Sequence, residues 1–82
     1  MLKWYKGVRK VYTESLAPKL KKTRQEAGYT QQQVADLIGM PQSTIARFEK
    51  GLRIPDSEQL AILADFYHIS ADWLLGTKGG KQ

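Results

Sequence analysis

Apolar positions return every three to four residues through most of this chain. The runs they form begin on residues that cap helices and end on glycine. Leu16, Leu20, Thr23 and Ala27 mark the inner face of a first helix, with Ser15 as its N-cap and Pro18 in its first turn. Lys19, Lys21, Lys22 and Gln25 are expected to point outward, and Gly28 stops the helix. Arg24 lies one turn before that stop, where it can turn inward. Thr30 opens a second helix, and Gln33 three residues on completes a T-x-x-Q capping box. Val34, Leu37 and Ile38 form its apolar stripe, and Ala35 is small enough to let another backbone approach closely. Gly39 supplies the left-handed residue for a sharp turn. Such a short helix cannot stand alone, so packing must hold it.

A third helix is expected over residues 41–50, with Pro41 in its first turn and Gly51 at its end. Spaced at 100° per residue, Gln42, Ser43, Ala46, Arg47 and Lys50 fall within one arc of about 140°. Ile45 and Phe48 fill the opposite arc, and Thr44 joins them at its edge. Residues 52–55 read as a loop. Asp56 then caps a fourth helix with Gln59 as its partner. Leu60, Ile62, Leu63, Ala64, Phe66 and Tyr67 make that helix the most apolar, and so the expected centre of the core. Ser70 caps a last short helix over residues 71–75, closed by Gly76. Residues 77–82 read as a flexible C-terminal tail. The pattern defines an all-α fold of five helices, occupying residues 15–76.

Residues 1–14 fit this pattern less well. Trp4, Tyr5, Val8, Val11 and Tyr12 recur at helical spacing among basic residues, but Gly7 and the β-branched content weaken a helix. Three roles stay open for this basic aromatic extension: an element packed on the domain, an arm reaching a nucleic acid, or a membrane-surface segment.

Composition narrows the function. Eighty-two residues hold one domain, and no apolar run approaches a membrane span. The chain has no cysteine, which excludes disulfides and thiolate metal sites and fits a cytoplasmic setting. Its net charge of +5 is unevenly spread. Lys3, Lys6, Arg9, Lys10, Lys19, Lys21, Lys22 and Arg24 face only Glu14 in residues 1–24, whereas residues 54–76 carry Asp56, Glu58, Asp65 and Asp72 with no lysine or arginine. Such asymmetry suits one face turned to a polyanion, and equally a lopsided solvated surface. His68 is the single histidine and reads as a surface or partly buried residue. No phosphate-cradling glycine loop, metal-ligand spacing or carboxylate pair is present, so neither an enzyme nor a cofactor site is expected.

The polar arc on the third helix carries the remaining chemistry. Glutamine offers a donor and an acceptor that match adenine N6 and N7 in the major groove. Arginine offers a fork for guanine O6 and N7, and serine pairs with either kind of group. A solvated polar face would have the same composition.

The order of motifs adds what chemistry alone leaves open. The chain runs L-K-x-x-R-x-x-x-G-Y-T-Q from Leu20, V-A-D-L-I-G from Val34, and Q-S-T-I-x-R-F-E-x-G from Gln42. It continues with P-D-x-x-x-L from Pro55 and D-W-L-L-G from Asp72. Over residues 16–76 this resembles the lambda repressor and Cro-like (XRE-type) helix-turn-helix transcriptional regulators. The resemblance implies a five-helix lambda repressor-like DNA-binding domain with a short N-terminal extension. It implies base reading by Gln42, Ser43 and Arg47, and backbone contacts from Gln31, Thr44, Lys50 and Arg53, Gln31 also bracing Gln42. Arg24 and Glu49 match a structural ion pair of the family, and Trp73, Leu74 and Leu75 match its dimer contacts but equally suit completing the core of a single chain. The partner implied is a double-stranded DNA operator bound by a homodimer, most often for repression. Because relatives often add an oligomerising domain, a small dimer, a weakly binding monomer and a fragment of something larger all stay open. A protein-interaction module, such as an antitoxin-like partner, is the competing reading. Two departures stand out: Pro41 replaces the usual Ser or Thr cap, and residues 1–14 match nothing in the family pattern.

Overall fold

The computed structural model describes residues 16–75, and for Leu75 only the helical backbone. The expectations for residues 1–14, Ser15, Gly76 and residues 77–82 lie outside that range. Among the described residues there are five helices and no strand. They are α1 (Ala17–Ala27), α2 (Gln31–Ile38), α3 (Gln42–Lys50), α4 (Ser57–Tyr67) and α5 (Ala71–Leu75). This is the all-α arrangement that the hydrophobic periodicity predicts.

Local signals account for most helix ends. Thr30 and Gln33 exchange both bonds of a capping box, Thr30 Oγ1 accepting from the Gln33 amide at 3.1 Å and Gln33 Oε1 accepting from the Thr30 amide at 2.8 Å. Asp56 and Gln59 do the same at the start of α4. Gly28, Gly39 and Gly51 all take left-handed backbone, which a side chain would strain. The fourth such turn is less legible. His68 closes α4 at φ 57° without being a glycine, and the next amide, of buried Ile69, donates to Ala64 O at 3.0 Å. Closure by Ile69 against the core outweighs the cost of that conformation.

The core joins Leu16 and Leu20 of the first segment to Val34 and Ala35 of α2, Ile45 and Phe48 of α3, and Leu60, Leu63 and Ala64 of α4. Ile69 and Leu74 complete it. Ala35 is 1% exposed, in keeping with a position chosen for smallness. Four positions depart from the periodicity. Ala27, in the last turn of α1, is exposed, since Ala17, Leu20, Thr23 and Arg24 make the buried side of that helix. Leu37 is 62% exposed, since Val34 and Ala35 rather than Leu37 make the buried side of α2. Ile62 lies at the rim of α4, 38% exposed. Pro41 has extended backbone (φ −63°, ψ 144°), so it is the N-cap of α3 and not part of its first turn.

Two contacts tie the ends together in a way spacing alone does not show. Lys19 Nζ donates to Trp73 O at 2.7 Å and lies 5.0 Å from the Trp73 ring centroid. Lys19 therefore links α1 to α5 instead of pointing outward. Tyr67 is half-buried, and its phenol is pushed up to about 12, first by burial and then by the nearby Glu49 carboxylate, with Arg24 opposing. Raised in the folded state, it contributes stability that is complete below the ordinary value of 10.0 and is lost as the pH rises toward 12. Alkaline titration should therefore show a fall in unfolding midpoint across that window, which Tyr67→Phe removes. An unchanged alkaline profile in Tyr67→Phe would contradict this.

Candidate nucleic-acid interface

The face of interest is set by how α3 is seated. Ile45 and Phe48 are each 2% exposed, and Thr44 is 8% exposed, so one side of α3 is fixed in the core. The helix must then turn its other side outward. On that side Ser43, Arg47 and Lys50 are exposed, with Gln42 and Ala46 half-buried between them. Arg53 is exposed in the following loop. Thr44 is the exception among the residues expected at DNA: its side chain belongs mainly to the core side. Pro41 gives α3 no side-chain cap.

Behind this row runs a chain of hydrogen bonds. Gln42 Nε2 donates to Gln31 Oε1 at 2.7 Å, and Gln31 Nε2 donates to Glu49 Oε1 at 3.1 Å. Glu49 also accepts twice from Arg24, Nε to Oε2 at 2.8 Å and Nη2 to Oε1 at 3.0 Å. Arg24 Nη1 donates to Tyr29 O at 2.8 Å, holding the turn between α1 and α2. The pair is shielded, with side-chain exposures of 11% and 3%. The hydrogen bond to Glu49 raises the pKa of Arg24 above its ordinary value, against the opposing effect of burial. The turn, the start of α2 and both ends of α3 are thus locked to one another.

Sequence spacing brings Arg24, Gln31, Gln42 and Glu49 into view separately. It does not show that they form one continuous chain, because that depends on how α2 crosses α3. The residues named for pairing two chains divide: Leu74 is fully enclosed, Trp73 is half-buried and bound to Lys19, and Leu75 has only its backbone described. Leu74 is therefore a core residue of the single chain and unavailable as a dimer contact. Among the described residues no group of acidic, histidine or cysteine side chains could hold a metal ion, and no helix is long and apolar enough to cross a membrane.

Two short helices joined by a glycine turn, the second with an uncapped start and a polar outer row, define a helix-turn-helix domain. The signature of the helix-turn-helix family matches residues 20–74. The chain is 39% identical over 62 residues to the HTH-type transcriptional regulator ImmR of Bacillus subtilis, covering 76% of this chain and 49% of that one. It is 41% identical over 64 residues to the HTH-type transcriptional regulator AnsR of the same organism, covering 78% and 55%. A prophage-derived HTH-type regulator, YonR, is 37% identical over 57 residues, 70% of this chain and 53% of that one. The chain belongs to the XRE-like helix-turn-helix family, and it spans about half the length of these relatives.

Proposed function

We propose that this chain is the sequence-specific DNA-binding part of a transcriptional regulator, that α3 enters the major groove, and that occupation of an operator represses transcription in the cytoplasm. The observation that carries the reading is the outward row of Gln42, Ser43 and Arg47, with Gln42 held by Gln31 at 2.7 Å. A reading residue held before it meets DNA loses less conformational freedom on binding. Gln42 suits adenine, Ser43 the neighbouring base, and Arg47 a base or phosphate further along the site. Gln31 keeps a second amide hydrogen for a backbone phosphate, and exposed Lys50 and Arg53 supply the electrostatic contacts. The domain would act as a homodimer on half-sites about 34 Å apart. With Leu74 sealed in the core, pairing through α5 would use the Trp73 side of that helix.

Two substitutions separate base reading from backbone binding. Gln42→Ala is expected to weaken the best site by about 1–3 kcal/mol and to relax one base position per half-site. Arg53→Ala is expected to weaken all sequences alike and to lower the slope of log affinity against log salt by about one. Titrations of a panel of duplexes at two salt concentrations measure both. An unchanged ranking of sites in Gln42→Ala would refute base reading by α3.

A further inference from the structure

We propose that Glu49 is a specificity-determining positioning residue: acting through Gln31, it fixes which way round the Gln42 amide is presented, favouring adenine and disfavouring guanine. The proposal rests on the reading role given to α3 above. The hydrogen-bond chain from Arg24 to Gln42 is asymmetric. A carboxylate facing a guanidinium accepts hydrogen bonds, and both Glu49 oxygens accept from Arg24. Gln31, whose Nε2 lies 3.1 Å from Glu49 Oε1, must therefore turn its NH2 toward Glu49. Its Oε1 then faces the other way. Gln42 can meet that oxygen, 2.7 Å away, only with its own NH2. Each amide in the chain thus inherits its orientation from the carboxylate behind it.

The consequence lies at the surface. Gln42 has two N–H donors and one carbonyl acceptor. With one N–H committed to Gln31, a single N–H and the carbonyl oxygen remain for a base. That combination fits adenine, whose N7 accepts and whose N6 amino group donates. Guanine presents two acceptors, O6 and N7, and needs two donors. If the Gln31 amide were reversed, the Gln42 carbonyl would accept from it and both N–H groups would be free, so guanine could be bound as well. Glu49 excludes that second arrangement. Its helical position, facing α1 and α2 rather than the groove, means that it does so without touching DNA.

The test is selection of bound duplexes from a random pool by the full chain, comparing wild type with Glu49→Gln, Gln31→Leu and Gln42→Ala. The readout is the ratio of adenine to guanine at the position that Gln42→Ala relaxes. Uniform losses of affinity, including a lost phosphate contact from Gln31, cancel in this ratio. Glu49→Gln and Gln31→Leu are each expected to lower the ratio roughly five- to tenfold, within the range that one bidentate base contact confers. Gln31→Leu leaves the Arg24–Glu49 pair in place, so it carries the test if Glu49→Gln does not fold. A relaxed position in Gln42→Ala beside an unchanged ratio in the folded variants would overturn the relay while leaving base reading intact. No relaxed position in Gln42→Ala would refute base reading itself, and the relay with it.

Discussion

Arg24→Ala is expected to destabilise the domain by about 3–5 kcal/mol, since it leaves a shielded carboxylate without its cation. Glu49 has 3% side-chain exposure, and Arg24 supplies two of its hydrogen bonds, at 2.8 and 3.0 Å. The same substitution frees Tyr29 O, which Arg24 Nη1 holds at 2.8 Å. Gln31 would remain as the neutral donor to Glu49, too little to replace a guanidinium. A domain of this size has a stability near the lower end of about 5–15 kcal/mol, so the loss would bring it close to unfolding. Chemical denaturation of the full chain measures the effect. Replacing both partners, as Arg24→Met with Glu49→Met, should recover much of the loss because no buried charge is left alone. A cost below about 1 kcal/mol for Arg24→Ala would mean that solvent reaches the carboxylate after all.

The second large effect belongs to Phe48. Its ring is 2% exposed and lines an apolar interior with Leu20, Ile45, Leu63 and Tyr67. Phe48→Ala is expected to cost about 3–5 kcal/mol, combining lost transfer free energy with an incompletely refilled cavity. It should also weaken DNA binding at moderate temperature, because the core side of α3 anchors the reading side. Leu37→Ala offers the contrast: at 62% exposure it should change stability by less than about 0.5 kcal/mol. Comparing the two unfolding midpoints tests the burial pattern that seats α3. Equal shifts would contradict it.

Much of the fold was legible because its signals are local. Capping boxes at Thr30 and Asp56 and left-handed glycines at 28, 39 and 51 mark boundaries that need no tertiary information. What was not legible depends on how helices cross. Leu37 satisfies the 3.6-residue period, yet no helix covers it. Lys19 looks like a solvated lysine until α5 brings Trp73 beneath it. His68 closes α4 in a left-handed conformation that its side chain does not announce, the cue lying one residue later in the buried Ile69. Pro41 sits at a helix start as its chemistry suggests, but one place earlier, as the cap itself.

The candidate site divides the same way. Helical spacing alone gathers Gln42, Ser43, Arg47 and Lys50 on one outward row, since all lie on a single helix. That Gln31 reaches both Gln42 and Glu49 is a property of the packing of α2 on α3. Thr44 sits at the edge of the arc by angle, and burial assigns it to the core side. Leu74 resembles a sticky terminal residue, and the remaining helices enclose it completely.

Whether α3 reads bases is decided by selection of bound duplexes from random DNA with the wild-type chain. Enrichment of one short motif per half-site is expected, with adenine at the position that Gln42→Ala relaxes, and the motif should persist when salt is raised. Recovery of sequences at their input frequencies at both salt concentrations would contradict it. A polar row on α3 would then be a solvated or partner-binding face.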